Sequence, residues 1–356
     1  MYTLEDLGWG PFFQENAKQT EDLIPARVAE EQRGAYVLFA ERGTFDATVA
    51  GRMMHEADAR EDYPAVGDWV LARPLPGEGR AVIHEVLPRR TKLSRKMAGT
   101  QIAEQILVAN VDTVFVVASL NYELNARRLE RYLSVIWESG ARPVVVLNKA
   151  DLTEDRESLV RRVETSVAGA VIHVTSAATG EGVAEIGRYI ERGRTVAFVG
   201  SSGVGKSCLV NCLLEREAQA VKAISFYDKG RHTTTSREMV LVPGGGLIVD
   251  TPGLRELGLW DAESGLGQAF ADVEGFASTC AFSDCSHGSE PGCGVQGALR
   301  GGRLDHARFE SYRKLQREQL FIEGKRDYGI RDAEKRKWKQ IAKANRKRTR
   351  TMGRYT

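Results

Sequence analysis

Residues 200–207 read Gly-Ser-Ser-Gly-Val-Gly-Lys-Ser, a G-x-x-x-x-G-K-[ST] pattern, and no other stretch limits the fold so tightly. A short strand-like run, Thr-Val-Ala-Phe-Val, precedes it, and a helical stretch, Cys208-Leu209-Val210-Asn211-Cys212-Leu213-Leu214, follows. In that context backbone N–H groups curl round phosphates and the helix N-terminus adds partial positive charge. Gly200, Ser201, Ser202, Gly203, Val204, Gly205, Lys206, Ser207 and Cys208 are therefore expected to hold a nucleoside triphosphate. Lys206 would serve catalysis at the β/γ-phosphates and Ser207 would ligate Mg²⁺.

The flanking sequence supplies the sheet such a loop needs. Apolar runs at 106–109, 113–118, 143–147, 171–174 and 195–199 read as strands buried on both faces. Helical stretches alternate with them, the first starting at an Asn125 N-cap with Leu129, Tyr132, Leu133 and Ile136 on one stripe. This is a multidomain α/β chain with a doubly wound parallel sheet, whose ligands bind at the carboxyl ends of the strands.

The loops at those ends carry matching chemistry. After 143–147 comes Asn148-Lys149-Ala150-Asp151. A carboxylate accepts two hydrogen bonds, and guanine offers a ring N–H beside an exocyclic amine where adenine has no such pair. Asp151 would select guanine by leaving a buried acceptor unpaired with the wrong base. Lys149 would lie along the ring and Asn148 would brace the pocket. After 171–174 come Thr175, Ser176 and Ala177, small enough for a backbone N–H to approach the guanine oxygen. Asp250-Thr251-Pro252-Gly253 follows a further strand at 246–249, putting Asp250 near Mg²⁺ and the Gly253 N–H at the γ-phosphate. Between these motifs lies Lys229-Gly230-Arg231-His232-Thr233-Thr234-Thr235. One hydroxyl there, Thr234 in preference to Thr233 or Thr235, would complete the Mg²⁺ shell.

The base motifs precede the phosphate motifs, the reverse of the usual order. Because all these loops gather at one sheet edge whichever strand begins the chain, a circular permutation leaves the site intact. Leu254 stands where Ras-like enzymes carry a water-positioning Gln, so unaided turnover should be slow. His232 is the internal candidate for orienting water, and Arg231 its rival as a charge stabiliser.

Downstream, Cys280, Cys285, His287 and Cys293 form C-x4-C-x-H-x5-C, three thiolates and an imidazole with no open position, which suits one structural zinc. His306 is the spare ligand, and Cys208 and Cys212 are read most simply as core. Upstream, short β-type runs at 36–40, 45–49, 68–72 and 81–86 with glycine-containing connections indicate a small OB-type or SH3-like barrel. Residues 1–35 read as an irregular extension.

Charge is uneven. Residues 325–356 hold 13 Lys/Arg against 3 Asp/Glu, net +10, so with +2 overall the rest of the chain carries −8. A basic tail with Trp338 among Lys335, Arg336, Lys337 and Lys339 fits RNA, through phosphate contacts and base stacking. No apolar run reaches ~18 residues, so no membrane contact is expected. The start, MYTLEDLGWG, has no basic-then-apolar leader, and 5 cysteines form no disulfide framework; a cytoplasmic protein is expected.

A barrel, then residues 148–151 ahead of 200–207 and 250–253, then the Cys/His cluster and basic tail, together resemble the ribosome small subunit-dependent GTPase (RsgA) family over nearly the whole chain from about residue 35. The resemblance implies an N-terminal OB-fold over 36–98 after an extension at 1–35, a circularly permuted GTPase domain over 99–262, and a zinc-binding domain with basic helical tail over 263–356. It further implies hydrolysis of GTP to GDP and phosphate, slow alone and stimulated by the small ribosomal subunit, during late maturation of that subunit through rRNA binding. A monomer is expected. Two other readings compete. A metal-handling GTPase sits poorly with a closed four-ligand shell, and an RNA-binding scaffold with a structural guanine nucleotide would need no switch loop.

Overall fold

The structure is a computed structural model, and it describes residues 2–17, 22–32, 34–96, 104–121, 124–167, 169–221, 238–242, 245–250 and 263–324. Five strands form the first unit: β1 (Ile24–Gln32), β2 (Ala35–Ala40), β3 (Gly43–Val49), β4 (Trp69–Leu75) and β5 (Arg80–Val86). They pair in the order β1-β2-β3-β5-β4, and β4 returns to β1, with Ile24 opposite Ala72, so the sheet closes into a barrel. β3 and β5 run parallel and the other pairs antiparallel, the connectivity of an OB-type barrel. Alternation fills the interior: Tyr36, Leu38 and Ala40 of β2 are buried with Ala26, Val28, Val70 and Ile83.

The irregular extension expected over residues 1–35 is in fact structured. It holds a helix, Pro11–Asn16, and the barrel strand β1. Composition hid β1 because Ala26, Arg27, Val28 and Ala29 are all buried in succession, so the period-2 signature is absent, and one of the four is an arginine. Arg27 donates from Nε to the Gly67 carbonyl (3.3 Å), from Nη2 to the Asn110 carbonyl (2.9 Å), and from Nη1 to the Leu7 carbonyl. Burial pulls its pKa down to about 10. The same N-terminal segment packs Trp9 and Phe13 against Trp69, with centroids 4.8 and 5.8 Å apart.

β6 (Lys92–Lys96) and β7 (Glu104–Ala109) make a separate antiparallel pair. The apolar run at 106–109 therefore belongs to a hairpin beside the main sheet, where it is buried by packing and not by parallel neighbours. The parallel sheet begins at β8 (Thr113–Ser119) and continues through β9 (Arg142–Asn148), β10 (Val171–Val174), β11 (Thr195–Val199), β12 (Glu238–Leu241) and β13 (Leu247–Asp250). Its order is β10-β9-β8-β11-β13-β12, parallel except for β12, which also meets β1 where Glu238 pairs with Glu30. β11 is buried at every position and β9 from Pro143 to Asn148, as strands covered on both faces require.

Helix Ala126–Glu138 follows β8, its first turn capped by the Asn125 side chain, which accepts from the Arg128 N–H at 3.2 Å. Against it lie helix Glu263–Ala269 and a helix over 306–324, while Ala271–Ala277 packs on the former and on Gly294–Arg300. Arg308, 7% exposed, joins the two parts: it bonds Glu130 at 3.0 Å, Asp272 through both Nε and Nη2 at 2.6 Å, and the carbonyls of Ser166 and Ala269. Burial raises the pKa of the Glu130 carboxyl even though Ser311 and Arg308 both favour its ionised form. One hydrophobic cluster runs from Leu7 and Trp69 through Leu107, Leu129, Val145 and Leu147 to Phe270 and Phe309. Among the described residues no helix is long and apolar enough to cross a membrane.

Candidate nucleotide site and metal centre

The carboxyl ends of β8, β9, β10, β11 and β13 lie at one edge of the sheet, and the loops singled out in the sequence leave from four of them. After Val199 the chain turns sharply. Gly200 has φ +140°, and a Cβ there would sit 2.2 Å from the Val117 carbonyl oxygen of β8. Gly205 has φ +96°, and its Cβ would strike Asn148 Nδ2 at 2.3 Å. Both positions are thus closed to side chains, which brings the phosphate-type loop hard against β8 and the base-type loop. Helix Lys206–Val221 starts at once, and Lys206 Nζ donates to the Gly200 and Ser201 carbonyls at 2.8 Å each, folding its ammonium over the loop. Val204 is buried, Ser201, Gly205 and Lys206 are half-buried, and Ser202, Gly203, Ser207 and Cys208 face solvent.

Asn148 is the organising side chain. It is 1% exposed, donates from Nδ2 to the Val204 carbonyl at 2.9 Å, and accepts on Oδ1 from the Ala177 N–H (3.1 Å) and Thr175 Oγ1 (3.2 Å). One amide thereby links the loops after β9, β10 and β11. Asp151 is exposed, and Ser176 Oγ, itself buried, donates to its Oδ1 at 2.5 Å. Lys149 lies between them in the left-handed region, φ +67°, uncommon for a residue with a Cβ. The structure therefore brings together Asn148, Lys149, Asp151, Ser176 and Ala177 with residues 200–208. Asp250 ends β13, where it pairs with Glu238. Arg231, His232, Thr233, Thr234, Thr235, Gly253 and Leu254 lie outside the described residues.

The cysteines of the loop helix differ from expectation. Cys208 is exposed and Cys212 half-buried, its Sγ donating to the Ala177 carbonyl at 3.3 Å. The buried stripe is instead Leu209, Val210, Leu213 and Leu214, because the first helical turn fronts the phosphate-type loop. Sequence inspection missed Arg128, whose Nη1 donates to Ser201 Oγ at 2.6 Å. Its one signal is position: it opens the helix that leaves the carboxyl end of β8. A cavity of about 560 Å³ lies at the opposite edge, lined by Asp112, Thr113, Arg142, His173, Tyr189 and Arg194 among others. It includes three arginines and three carboxylates, no excess of either sign, and it touches none of the motif residues.

Cys280, Cys285, His287 and Cys293 converge, their ligand atoms all within 4.8 Å of one another. Cys280 Sγ is 3.5 Å from His287 Nδ1 and 3.9 Å from Cys293 Sγ, and Cys293 Sγ is 3.7 Å from His287 Nδ1. Tetrahedral zinc with ordinary bond lengths sets edges of about 3.8 Å between sulfurs and about 3.5 Å from sulfur to nitrogen, so the donor set fits the ion. The backbone serves thiolates here. Burial opposes ionisation of Cys280, yet the N–H groups of Gly294 and Val295 hold its pKa below the ordinary thiol range, while the Cys293 sulfur caps helix Gly294–Arg300 by accepting from the Gln296 N–H at 3.4 Å. Gln296 also holds the His287 carbonyl at 2.7 Å. Glu290 pins the intervening loop through the N–H groups of Ser286 (3.0 Å) and Gly288 (2.8 Å), and with the Ser286 hydroxyl they bring its pKa down to about 2.

Comparison with known proteins agrees with this arrangement. A family model described as RsgA GTPase matches residues 86–260. The small ribosomal subunit biogenesis GTPase RsgA of Opitutus terrae is 46% identical over 99% of this chain and 100% of its own length. RsgA 1 of Oceanobacillus iheyensis is 42% identical over 92% of this chain and 93% of its own. The crystal structure of YjeQ from Thermotoga maritima superposes with TM-score 0.63 at 28% identity, covering 84% of this chain and 99% of that one. That of YloQ, described as a circularly permuted GTPase, matches in fold with TM-score 0.59 at 23% identity, covering 87% of this chain and 99% of that one. With matched identity running the length of both chains, and base and phosphate loops joined in permuted order, the chain belongs to the RsgA GTPase family.

Proposed function

We propose that this protein hydrolyses GTP to GDP and phosphate and acts in biogenesis of the small ribosomal subunit, binding that subunit and its rRNA in the cytoplasm as a monomer. The observation that carries the reading is Asn148, which holds the base-reading loops against the phosphate loop with one side chain. In this reading Asp151 takes the two adjacent guanine donors, Lys149 flanks the ring, and Ser176 and Ala177 bound the pocket. Residues 200–208 and Gly253 surround the phosphates, Ser207, Asp250 and Thr234 serve Mg²⁺, and Lys206 stabilises the charge that develops on the β/γ-phosphates. His232 orients the attacking water when the partner binds, in the role that Leu254 cannot fill.

Cys280, Cys285, His287 and Cys293 would hold one zinc. The ion supplies a closed cross-link and no chemistry, since all four positions belong to the protein. Extension, barrel, permuted GTPase domain and zinc domain then divide near residues 23, 98 and 262, the first boundary moved from 35 because β1 belongs to the barrel. The barrel, the zinc domain and the basic tail form the RNA-gripping parts.

The test is phosphate release from GTP and from ATP, with and without purified small ribosomal subunits. Slow GTP turnover raised strongly by the subunit, with ATP inert, supports the reading. GTP turnover unchanged by the subunit removes the partner assignment.

A further inference from the structure

Besides Glu138, whose carboxylate accepts from the Ser264 hydroxyl and the Gly265 N–H, helix Ala126–Glu138 carries two ion pairs and a third contact of another kind. Arg131 makes a bidentate pair with Glu318 at 2.6 and 2.7 Å, and Glu130 pairs with Arg308 at 3.0 Å. The third is different. Arg128 is exposed, no carboxylate pairs with it among the described residues, and its Nη1 reaches across to the Ser201 hydroxyl at 2.6 Å. Ser201 is the second residue of the phosphate-type loop. The helix is fixed there by its own cap and by the packing of β8 on that loop, where the Val117 carbonyl leaves no room for a Cβ on Gly200.

A guanidinium presents five donors in a rigid plane, and Ser201 Oγ takes one of them. A cation with spare donors, held over an anion cradle and lacking a carboxylate, is placed for phosphate oxygens. Lys206 already sits over the loop on the Gly200 and Ser201 carbonyls, so Arg128, bonded to the Ser201 hydroxyl from its own helix, brings a second positive charge to the loop. Leu254 removes the usual water-positioning side chain and leaves electrostatic stabilisation a larger share of the work.

We propose that Arg128 binds the terminal phosphate of GTP directly, exchanging its Ser201 contact for a γ-phosphate oxygen, and so distinguishes GTP from GDP and stabilises charge in cis during hydrolysis. This rests on the GTPase reading above. A helix-borne arginine acting this way requires no ordering of a loop; its guanidinium needs only to rotate.

The experiment compares binding of GDP and a non-hydrolysable GTP analogue to the full chain, to Arg128→Ala, to Ser201→Ala and to the double variant. Arg128→Ala should weaken the analogue about tenfold while changing GDP less than about twofold, the loss expected for one charge-assisted bond. The same selective loss should appear when Arg128→Ala is introduced into the Ser201→Ala background. Equal loss for both nucleotides, no loss, or a loss that vanishes in the Ser201→Ala background would show that Arg128 only braces the loop, and would overturn the proposal. A wild-type chain that binds neither guanine nucleotide would instead fail the GTPase reading itself.

Discussion

Asn148 Nδ2 donates to the carbonyl oxygen of Val204 at 2.9 Å, joining two loops that lie 56 residues apart in the chain. The same amide accepts from the Ala177 N–H, so the segments after β9, β10 and β11 share a single buried connector. Permutation leaves this connector undisturbed because it depends on which strands are neighbours and not on which comes first. β9 and β11 flank β8, and their loops meet above it.

Replacing Asn148 with Ala leaves the Val204 carbonyl and the Ala177 N–H without their partner. Each buried unpaired group costs about 1–3 kcal/mol. Guanine nucleotide affinity should fall at least about tenfold, since about 1.4 kcal/mol corresponds to a factor of ten. Calorimetric titration with GDP checks this; unchanged affinity would show that the loops are held by other means.

Removing Arg308 tests how the C-terminal helices are fastened. Arg308→Ala strands Glu130, 2% exposed, and should destabilise the chain by about 3–5 kcal/mol. The double change Arg308→Met with Glu130→Gln should recover much of that, because it removes both buried charges. Denaturant midpoints of the two variants give the comparison.

The metal centre should contain one zinc per chain by elemental analysis. Cys293→Ser removes a buried ligand and a helix cap together, so it should abolish zinc and lower the melting temperature while GDP binding persists. Zinc retained in that variant would exclude Cys293 as a ligand.

Truncation after Gly324 removes 13 basic side chains and keeps the helix over 306–324. Affinity for the small subunit should drop, and the dependence of log affinity on log salt should become shallower by about 0.7–0.9 for every phosphate that the tail had neutralised. Titrations at several salt concentrations measure it. An unchanged slope would mean the tail touches no phosphate.

Sequence revealed the parts whose chemistry dictates residue type at fixed spacing. Residues 200–207 and 148–151 carry such constraints, and so do the four ligands between Cys280 and Cys293, which the structure gathers within 4.8 Å. Strands β8, β9 and β11 were legible because burial on both faces leaves continuous apolar runs. β1 was not, since both of its faces are buried from Ala26 to Ala29 and the position that faces away from the barrel interior is filled by an arginine, Arg27, where a doubly covered strand would show a hydrophobe. β7 reads like a sheet strand because its neighbours bury it as fully as a sheet would. Arg128 carried no signal beyond its place at the start of a helix, and Arg308 none, because the side-chain partners are remote in sequence: 73 residues away for Arg128, and from 36 to 178 residues away for Arg308.

The central claim is that Asp151, carried on a loop that precedes the phosphate loop in sequence, reads guanine. Xanthine replaces the exocyclic amine of guanine with a carbonyl, so an amide in place of the carboxylate should prefer it. Phosphate release by Asp151→Asn should fall at least about 100-fold with GTP and reappear with XTP, the discrimination expected when a polar pocket is left unpaired. A variant that still prefers GTP to XTP would contradict the account and place the base elsewhere.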